Sequence, residues 1–215
     1  MIKAVLFDFD GVIVDSLEYA FENLNRILKR FKKEQLKNID EFKSLKNKTI
    51  IDFFKRENPN MFKKIMILIY SFMIFSKNFD PKLKRGVKPL LERLNNKGIT
   101  LIIVSNNFSH LIRRILRKHK VSRFFKDIKG LSLTQHKDKR ILQVLKKHKL
   151  KPSECIFVTD GADDIEYASR IKGLTKIGIT DGFSTEEEII LSAPDYYVGS
   201  TRELSELLDK LLNIK

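Results

Sequence analysis

The sequence predicts a protein of the α/β class, with a mostly parallel central sheet and a small all-helical block inserted after the first strand. Two observations predict the sheet: four short apolar runs recur along the chain, and amphipathic helical patterns separate them. Each run is apolar without alternation, which is typical of a strand covered on both faces and therefore of a parallel sheet. A third observation predicts the inserted block, because residues 16–81 contain only helical patterns.

The predicted strands and helices alternate along the chain. The strands are residues 2–7, 98–105, 155–160 and 174–180, and the stretch DYYV adds a short edge strand from Asp195. The helices are residues 87–96, 108–118, 138–149, 163–170 and 201–212. This alternation predicts right-handed crossover units with helices on both faces of one sheet.

The sequence further predicts two domains. Residues 1–15 and 82–215 would form the α/β core, and residues 16–81 would form a helical cap that contains the patterns LEYAFENLNRILKRF and TIIDFFKREN. Gly86 marks the return to the core. Residues 65–75, IMILIYSFMIF, are fewer than the roughly 20 that a membrane span needs, so we interpret them as a buried helix, with an interfacial helix as the alternative.

Composition indicates the setting and the partners of the chain. Cys155 is the single cysteine among 215 residues, and no N-terminal segment reads as a signal peptide, so we expect a reducing, cytoplasmic setting. The net charge is +15. Lysine and arginine alternate with apolar residues at helical spacing, as on solvated helix faces, so we expect no specific nucleic-acid partner and no membrane partner. The sequence does not fix the oligomeric state, and a monomer and a homodimer both remain open.

Polar and acidic residues stand where three of the predicted strands end, namely Asp8 and Asp10, Ser105 and Asn106, and Asp160. Ligands of open α/β sheets bind beyond the carboxyl ends of the strands, so these segments converge on one place. Taken singly, the aspartates suit a turn and the serine suits a helix N-cap. Together they form an oxygen-rich site of the kind that binds Mg²⁺ and, through it, a phosphate group.

Three sequence stretches, DFDGVIVDS, IIVSNN and VTDGADDIEYA, resemble the first, second and fourth motifs of the haloacid-dehalogenase-like phosphohydrolases. The order and spacing of the motifs match, as does the inserted helical block, so the resemblance covers the whole chain. It implies a Rossmann-like three-layer sandwich with a helical cap, as in the phosphoglycolate-phosphatase-like branch. It also implies a Mg²⁺-dependent phosphatase whose partner is a small phosphorylated metabolite.

The resemblance implies a role for each residue of the first two motifs. Asp8 would be the nucleophile that forms an aspartyl-phosphate, and Asp10 would be the general acid and base, with its backbone carbonyl as a Mg²⁺ ligand. The Ser105 hydroxyl and the Asn106 backbone N–H would hold the phosphoryl group. Gly11 would contribute to substrate binding within the flexible segment after the aspartates.

The fourth motif would supply the remaining metal ligands. Asp160 would complete the metal site with Asp8, and Asp164 would bind the ion directly or through water. Two positions depart from the family pattern: Thr159 stands where glycine is usual, and Asp163 stands where asparagine is frequent.

The third motif needs one lysine to neutralise the charge that the nucleophile shares with the phosphoryl group. The usual Lys-Pro pair is absent from SLTQHKDKRIL, so the choice lies between Lys137, which we favour, and Lys139. A surface lysine is the ordinary alternative, since most lysines of this chain suit that position.

Two other functions remain open at this stage. A phosphosugar mutase of the same family would use Asp8 and Asp10 but return the phosphoryl group to a sugar. A non-catalytic binding protein for acidic partners would rely on the charge alone, and clustered carboxylates argue against it. A dehalogenase is disfavoured, because that branch is not expected to carry an aspartate at the position of Asp10.

Overall fold

The computed structural model describes residues 1–45, 79–132 and 135–213. Its strands are β1 (Ala4–Phe7), β2 (Val14–Asp15), β3 (Lys82–Leu83), β4 (Thr100–Val104), β5 (Phe125–Lys129), β6 (Cys155–Thr159), β7 (Thr175–Ile179) and β8 (Tyr196–Val198). Its helices are α1 (Leu17–Arg30), α2 (Ile39–Lys43), α3 (Val87–Asn96), α4 (Ser109–Lys118), α5 (Lys137–Lys147), α6 (Ala162–Ser169), α7 (Glu186–Leu191) and α8 (Thr201–Leu212). Short 3₁₀ turns lie at Ser122–Phe124 and Pro152–Glu154.

Within the described residues, six strands form one parallel sheet in the spatial order β5-β4-β1-β6-β7-β8. The first strand of the chain is therefore central, paired with β4 on one side and with β6 on the other. All four of its residues are fully buried. The predicted α/β class and parallel sheet are confirmed.

Helices cover both faces of this sheet. On one face, Ile141 of α5 and Ala168 of α6 belong to a buried cluster that includes Leu6 and Phe157 from neighbouring strands. Because β-α-β crossovers are right-handed, the helices that precede and follow β4 lie on the opposite face, where both bury an apolar stripe. The sheet thus holds the ends of β1, β4 and β6 side by side.

Most predicted elements agree with the structure to within three residues, but β5 was missed. In this strand Ile128 is buried, while Lys126 is exposed and Asp127 is half-buried. An edge strand pairs on one side only, so it does not need the continuous apolar run used to predict the others. The antiparallel pair of β2 with β3 and the short helix α7 were also missed.

The chain divides into two compact units, one formed by Met1–Asp15 with Lys82–Lys215 and the other by Ser16–Pro81. In the second unit, α1 occupies the predicted helical stretch, and the side chain of Asn25 bonds both the backbone N–H and the carbonyl of Leu36. The predicted helices TIIDFFKREN and IMILIYSFMIF lie outside the described residues. None of the described helices combines the length and apolarity that crossing a bilayer requires.

Candidate active site

The carboxyl end of β1 carries the two aspartates that open the site. Asp8 is 7% exposed, and its backbone N–H donates to the carbonyl of Val158 at 2.8 Å. Asp10 is half-buried, and the chain then turns sharply at Gly11, where φ is +68°. The Asp8 carboxylate is therefore buried at the carboxyl end of the sheet, and the Asp10 carboxylate lies partly exposed at the edge of the same site.

The loop after β4 meets this strand end. The Ser105 hydroxyl accepts the backbone N–H of Asn107 at 3.1 Å, which folds the loop back on itself. The side-chain amide of Asn107 then donates to Asp10 Oδ2 at 3.1 Å. Sequence reasoning chose Ser105 and Asn106 and missed Asn107, although its place beside them was the signal that could have found it.

Lys137 links the third segment to the first. It is the first residue of α5 and is 1% exposed, and its ammonium group lies 2.5 Å from Asp8 Oδ2 and also donates to Asp164. Burial alone would lower the pKa of Lys137, but the carboxylates of Asp164 and Asp8 outweigh it and raise that pKa. Lys139 is exposed, so the structure places Lys137 and not Lys139 beside the predicted nucleophile.

Asp160 follows the end of β6, and its carboxylate occupies the space that side chains at Gly11 and Gly182 would otherwise fill. A Cβ atom on Gly11 would lie 1.8 Å from Asp160 Oδ2, and one on Gly182 would lie 2.2 Å from it. The backbone N–H of Phe183 donates to the same oxygen at 2.7 Å. The glycines are thus needed for close approach, and the loop after β7, which sequence reasoning did not assign to the site, holds this carboxylate.

The buried carboxylates repel one another. Burial and the negative charge of Asp8 raise the pKa of Asp160 to about 7. Burial also raises the pKa of Asp164 to about 6, against the opposing effect of Lys137. Burial is the larger cause of both raised pKa values, and the charge of Asp8 adds to each.

The donor set suits a hard cation, because it consists of carboxylate oxygens whose repulsion a cation would relieve. The arrangement of these oxygens is less complete than the donor set itself. Within residues 1–45, 79–132 and 135–213, no group of three or more His, Cys, Asp or Glu side chains is arranged to hold a metal ion. Asp164 is turned toward Lys137 and the hydroxyl of Thr159, at 3.2 Å from the latter. The carboxylates of Asp8, Asp10, Asp160 and Asp164 are the oxygens available for a divalent cation, and Lys137 already holds those of Asp8 and Asp164.

Arg140 is a further buried charge that sequence reasoning missed. It is 2% exposed, and its guanidinium donates to the Ser105 carbonyl, to the Gly130 carbonyl at 3.1 Å and to Asn106 Oδ1. Burial lowers the pKa of Arg140. Arg140 lies three residues after Lys137, so both side chains lie on one face of α5. Surface lysines of this chain recur at the same spacing, so the spacing alone does not identify Arg140 as buried.

The structure brings together most of the predicted site residues. Asp8, Asp164 and Lys137 touch one another, Asp160 packs against Gly11, and Asp10 joins the loop that carries Ser105. Two further placements complete the description. The Asn106 side chain is bound by Arg140, and Asp163 is exposed to solvent. A polar cavity of about 350 Å³ opens beside Lys137 and Asp164.

Comparison with known proteins identifies relatives of the chain. A model of the haloacid dehalogenase-like hydrolase family matches residues 5–178. A phosphoglycolate phosphatase from Vibrio parahaemolyticus is 32% identical over 125 residues, which cover 57% of this chain and 54% of that relative. The chain thus matches about half the length of the first curated relatives.

Two comparisons cover the whole chain. A phosphoglycolate phosphatase from Synechococcus elongatus is 22% identical over 215 residues, 98% of this chain and 99% of that protein. The crystal structure of a predicted phosphatase from Clostridium acetobutylicum superposes with a TM-score of 0.85 at 24% identity and covers 100% of both chains. The latter likeness concerns the fold alone.

Proposed function

We propose a reaction for this chain from one premise: the chain belongs to the haloacid dehalogenase-like hydrolase family. The reaction is the hydrolysis of a small phosphomonoester by way of an aspartyl-phosphate on Asp8. One observation carries the proposal. The buried Asp8 carboxylate stands at the end of the central strand with the Lys137 ammonium group 2.5 Å from one oxygen.

In the first step, Asp8 attacks phosphorus and the bond from phosphorus to the ester oxygen breaks. Asp8 Oδ1 is engaged by the backbone N–H of Phe9 at 2.6 Å, and Oδ2 is engaged by Lys137. These bonds hold the carboxylate in one orientation, which reduces the entropic cost of attack. The product of this step is a mixed anhydride between Asp8 and phosphate, together with the leaving alcohol.

Asp10 would act as the general acid in the first step and as the general base in the second. It would donate a proton to the departing ester oxygen and then accept one from the water that attacks the phosphoenzyme. The Asn107 amide at 3.1 Å fixes the direction of its carboxylate. Hydrolysis then releases inorganic phosphate and restores both aspartates to their starting states.

Charge on the transferring phosphoryl group needs stabilisation from the same site. Lys137 would neutralise the charge shared by Asp8 and the phosphoryl oxygens, and the Ser105 hydroxyl and the Asn106 backbone N–H would donate to those oxygens. Asp8, the Asp10 carbonyl and Asp160 would hold Mg²⁺, with Asp164 near them. When bound, the ion supplies positive charge between the phosphoryl group and the carboxylates.

The identity of the substrate is a separate part of the proposal. Relatives named phosphoglycolate phosphatase make small phosphorylated acids the first compounds to test. We place substrate selection in residues 16–81, which form a separate unit as a helical cap would. A reducing, cytoplasmic setting is consistent with the single, buried Cys155.

The proposal is tested by assaying release of inorganic phosphate from a panel of small phosphomonoesters, with Mg²⁺ and with EDTA. We expect Mg²⁺-dependent release from at least one ester and none from an Asp8→Asn variant that folds normally. Conversion of a sugar phosphate to its isomer without phosphate release would instead identify a mutase. Equal phosphate release by the Asp8→Asn variant would contradict the proposal.

A further inference from the structure

Positive and negative side chains are distributed unevenly along this chain. Residues 108–151 contain fifteen lysines and arginines and only two acidic residues. Residues 152–215 contain six lysines and arginines and thirteen acidic residues. A generally lysine-rich composition would not produce this separation, so the basic segment needs its own explanation.

The fold converts this separation in sequence into a separation in space. The basic segment includes α4, β5 and α5, while the acidic segment runs from β6 to α8. Because β5 and β8 are the two edges of the sheet, the basic segment contains one edge strand and the acidic segment contains the other, while α5 and α6 pack together over the middle of the sheet. The end of α5 reaches β5, since Lys147 Nζ lies 2.8 Å and His148 Nε2 lies 2.9 Å from Asp127 Oδ2.

The exposed cations around β5 form what we call the β5 surface. Its members come from α4, the turn after it, β5, the second half of α5 and the loop that follows: Arg113, Arg114, Arg117, Lys118, Lys120, Arg123, Lys126, Lys146, Lys147, Lys149 and Lys151. Asp127 is already held by Lys147 and His148, and Glu92 approaches Arg123 at 3.8 Å at the rim. The surface therefore keeps a large excess of positive charge.

We propose that the β5 surface binds the phosphate backbone of a nucleic acid without sequence preference. Arginine binds phosphate with two parallel hydrogen bonds, lysine binds it as a point charge, and the release of counterions makes several such contacts favourable together. This interaction differs from specific recognition, which requires side chains that read base edges. It is independent of the phosphatase reaction proposed above.

Other partners fit the β5 surface less well. The cores of protein–protein interfaces are poor in lysine, and the exposed large apolar side chains of the described basic segment are only Leu131 and Leu142. The helices α4 and α5 flank β5 on opposite faces of the sheet. A flat anionic membrane would contact the cations on one of these faces only, whereas a flexible single strand of nucleic acid can contact the cations on both.

Two charge-matched variants test the proposal. The first replaces Arg117, Lys126 and Lys146 with glutamine, one residue each from α4, β5 and α5. The second replaces Lys88, Lys97 and Lys172, three exposed lysines outside the β5 surface, with glutamine. Both lose three positive charges, so a difference between them reports position and not net charge. Phosphate release should be the same in both variants, which shows that the core is intact.

Binding is measured by fluorescence anisotropy with labelled oligouridine and oligothymidine of about 20 nucleotides, at salt concentrations of about 50 to 200 mM. We expect affinity to fall as salt rises. The β5-surface variant should bind at least about tenfold more weakly and reduce the slope of log K against log salt by roughly 2, while the control variant stays close to the unmodified protein. The ratio of the affinities for oligouridine and oligothymidine shows whether RNA or DNA is preferred.

Three results would overturn the proposal. They are no binding of either oligonucleotide at low salt, an equal loss of affinity in both variants, and binding to vesicles containing anionic lipid without binding to oligonucleotides. Because phosphate release is measured on the same samples, failure of nucleic-acid binding is distinguishable from failure of the proposed reaction.

Discussion

The ammonium group of Lys137 lies 2.5 Å from Asp8 Oδ2, although 129 positions separate the two residues in sequence. Both side chains are buried. The contact joins the beginning of α5 to the end of β1, so the fold itself brings the predicted nucleophile and its counterion together.

A Lys137→Met variant should lose most of its activity. We expect kcat to fall by about 10² to 10³, because an electrostatic partner of the transferring group is removed. Stability should also fall by about 3–5 kcal/mol, since Asp8 and Asp164 are left buried without their counterion. Activity is measured well below the melting temperature, which denaturation curves provide. The matched control is Lys139→Met on the exposed face of α5; an equal loss of kcat there would contradict the assignment.

Replacing Gly182 with alanine should reduce activity by displacing Asp160. The added Cβ would lie 2.2 Å from Asp160 Oδ2, and the buried carboxylate has little room to move. We expect a loss in kcat of at least about tenfold, because small displacements in an active site are costly. Gly98→Ala is the control, since its φ of +74° carries a backbone cost of about 1 kcal/mol but nothing lies within 4 Å of the new methyl group. Measuring kcat of both variants at saturating substrate distinguishes displacement of Asp160 from a general effect of adding a methyl group. An unchanged kcat in Gly182→Ala would refute the claim that Gly182 is needed to position Asp160.

Arg140 should act by positioning the loop after β4. Its guanidinium holds the Ser105 carbonyl and the Asn106 side chain, so an Arg140→Met variant should raise KM and lower kcat about 10- to 100-fold in total. Arg140→Lys keeps the charge but not the three contacts and should recover only part of the loss. Arg93→Met removes a similar contact to Ser205 and Asp209 away from the site and should affect stability alone. A KM unchanged in Arg140→Met would argue that Arg140 serves only the fold.

Asp160 should make the metal-free protein less stable as the pH rises. Its pKa is raised to about 7 from an ordinary 3.8, so between these values the folded state binds a proton that the unfolded state lacks. The free energy of unfolding must then fall as the pH rises from about 4 to 7. Asp160→Asn removes this charge and should be more stable than the unmodified protein at pH 8 in EDTA, by about 1–3 kcal/mol.

The same variant should lose its response to Mg²⁺, both in activity and in melting temperature. Thermal melts at pH 5 and pH 8, with and without Mg²⁺, measure both effects. Asp163→Asn makes the same charge change at an exposed neighbouring position and should leave them unchanged. A less stable Asp160→Asn protein at pH 8 in EDTA would contradict the account of buried repulsion.

The sequence predicted the elements whose burial leaves a clear pattern. Strand β1 reads as apolar throughout because helices cover both of its faces, and the acidic residues after it stand out against that run. Strand β5 was missed because three of its five residues are charged, and α7 was missed because six residues are too few to show a helical period. Local pattern therefore finds strands with a continuous apolar run better than strands rich in charged residues.

The candidate site was predictable where a residue type was unusual for its place, or where the family resemblance named the position, as for Lys137. Two aspartates after a buried strand needed explanation, and so they were found. Arg140 and Asn107 were missed because arginine in a basic helix and asparagine in a loop are ordinary in sequence, and only the fold shows where their side chains go. Gly182 was missed for a related reason, because its role depends on a carboxylate 22 positions away that only the fold brings near.

The most direct test of the account is to identify the residue that carries the phosphoryl group. Protein quenched in acid during turnover of an active phosphomonoester with Mg²⁺ is treated with borohydride, which reduces an acyl phosphate to an alcohol, and is then mapped by mass spectrometry. The account predicts reduction at Asp8 alone, and none when substrate is omitted. Reduction at Asp10, or steady release of phosphate with no reduced residue in the peptide that contains Asp8, would contradict it.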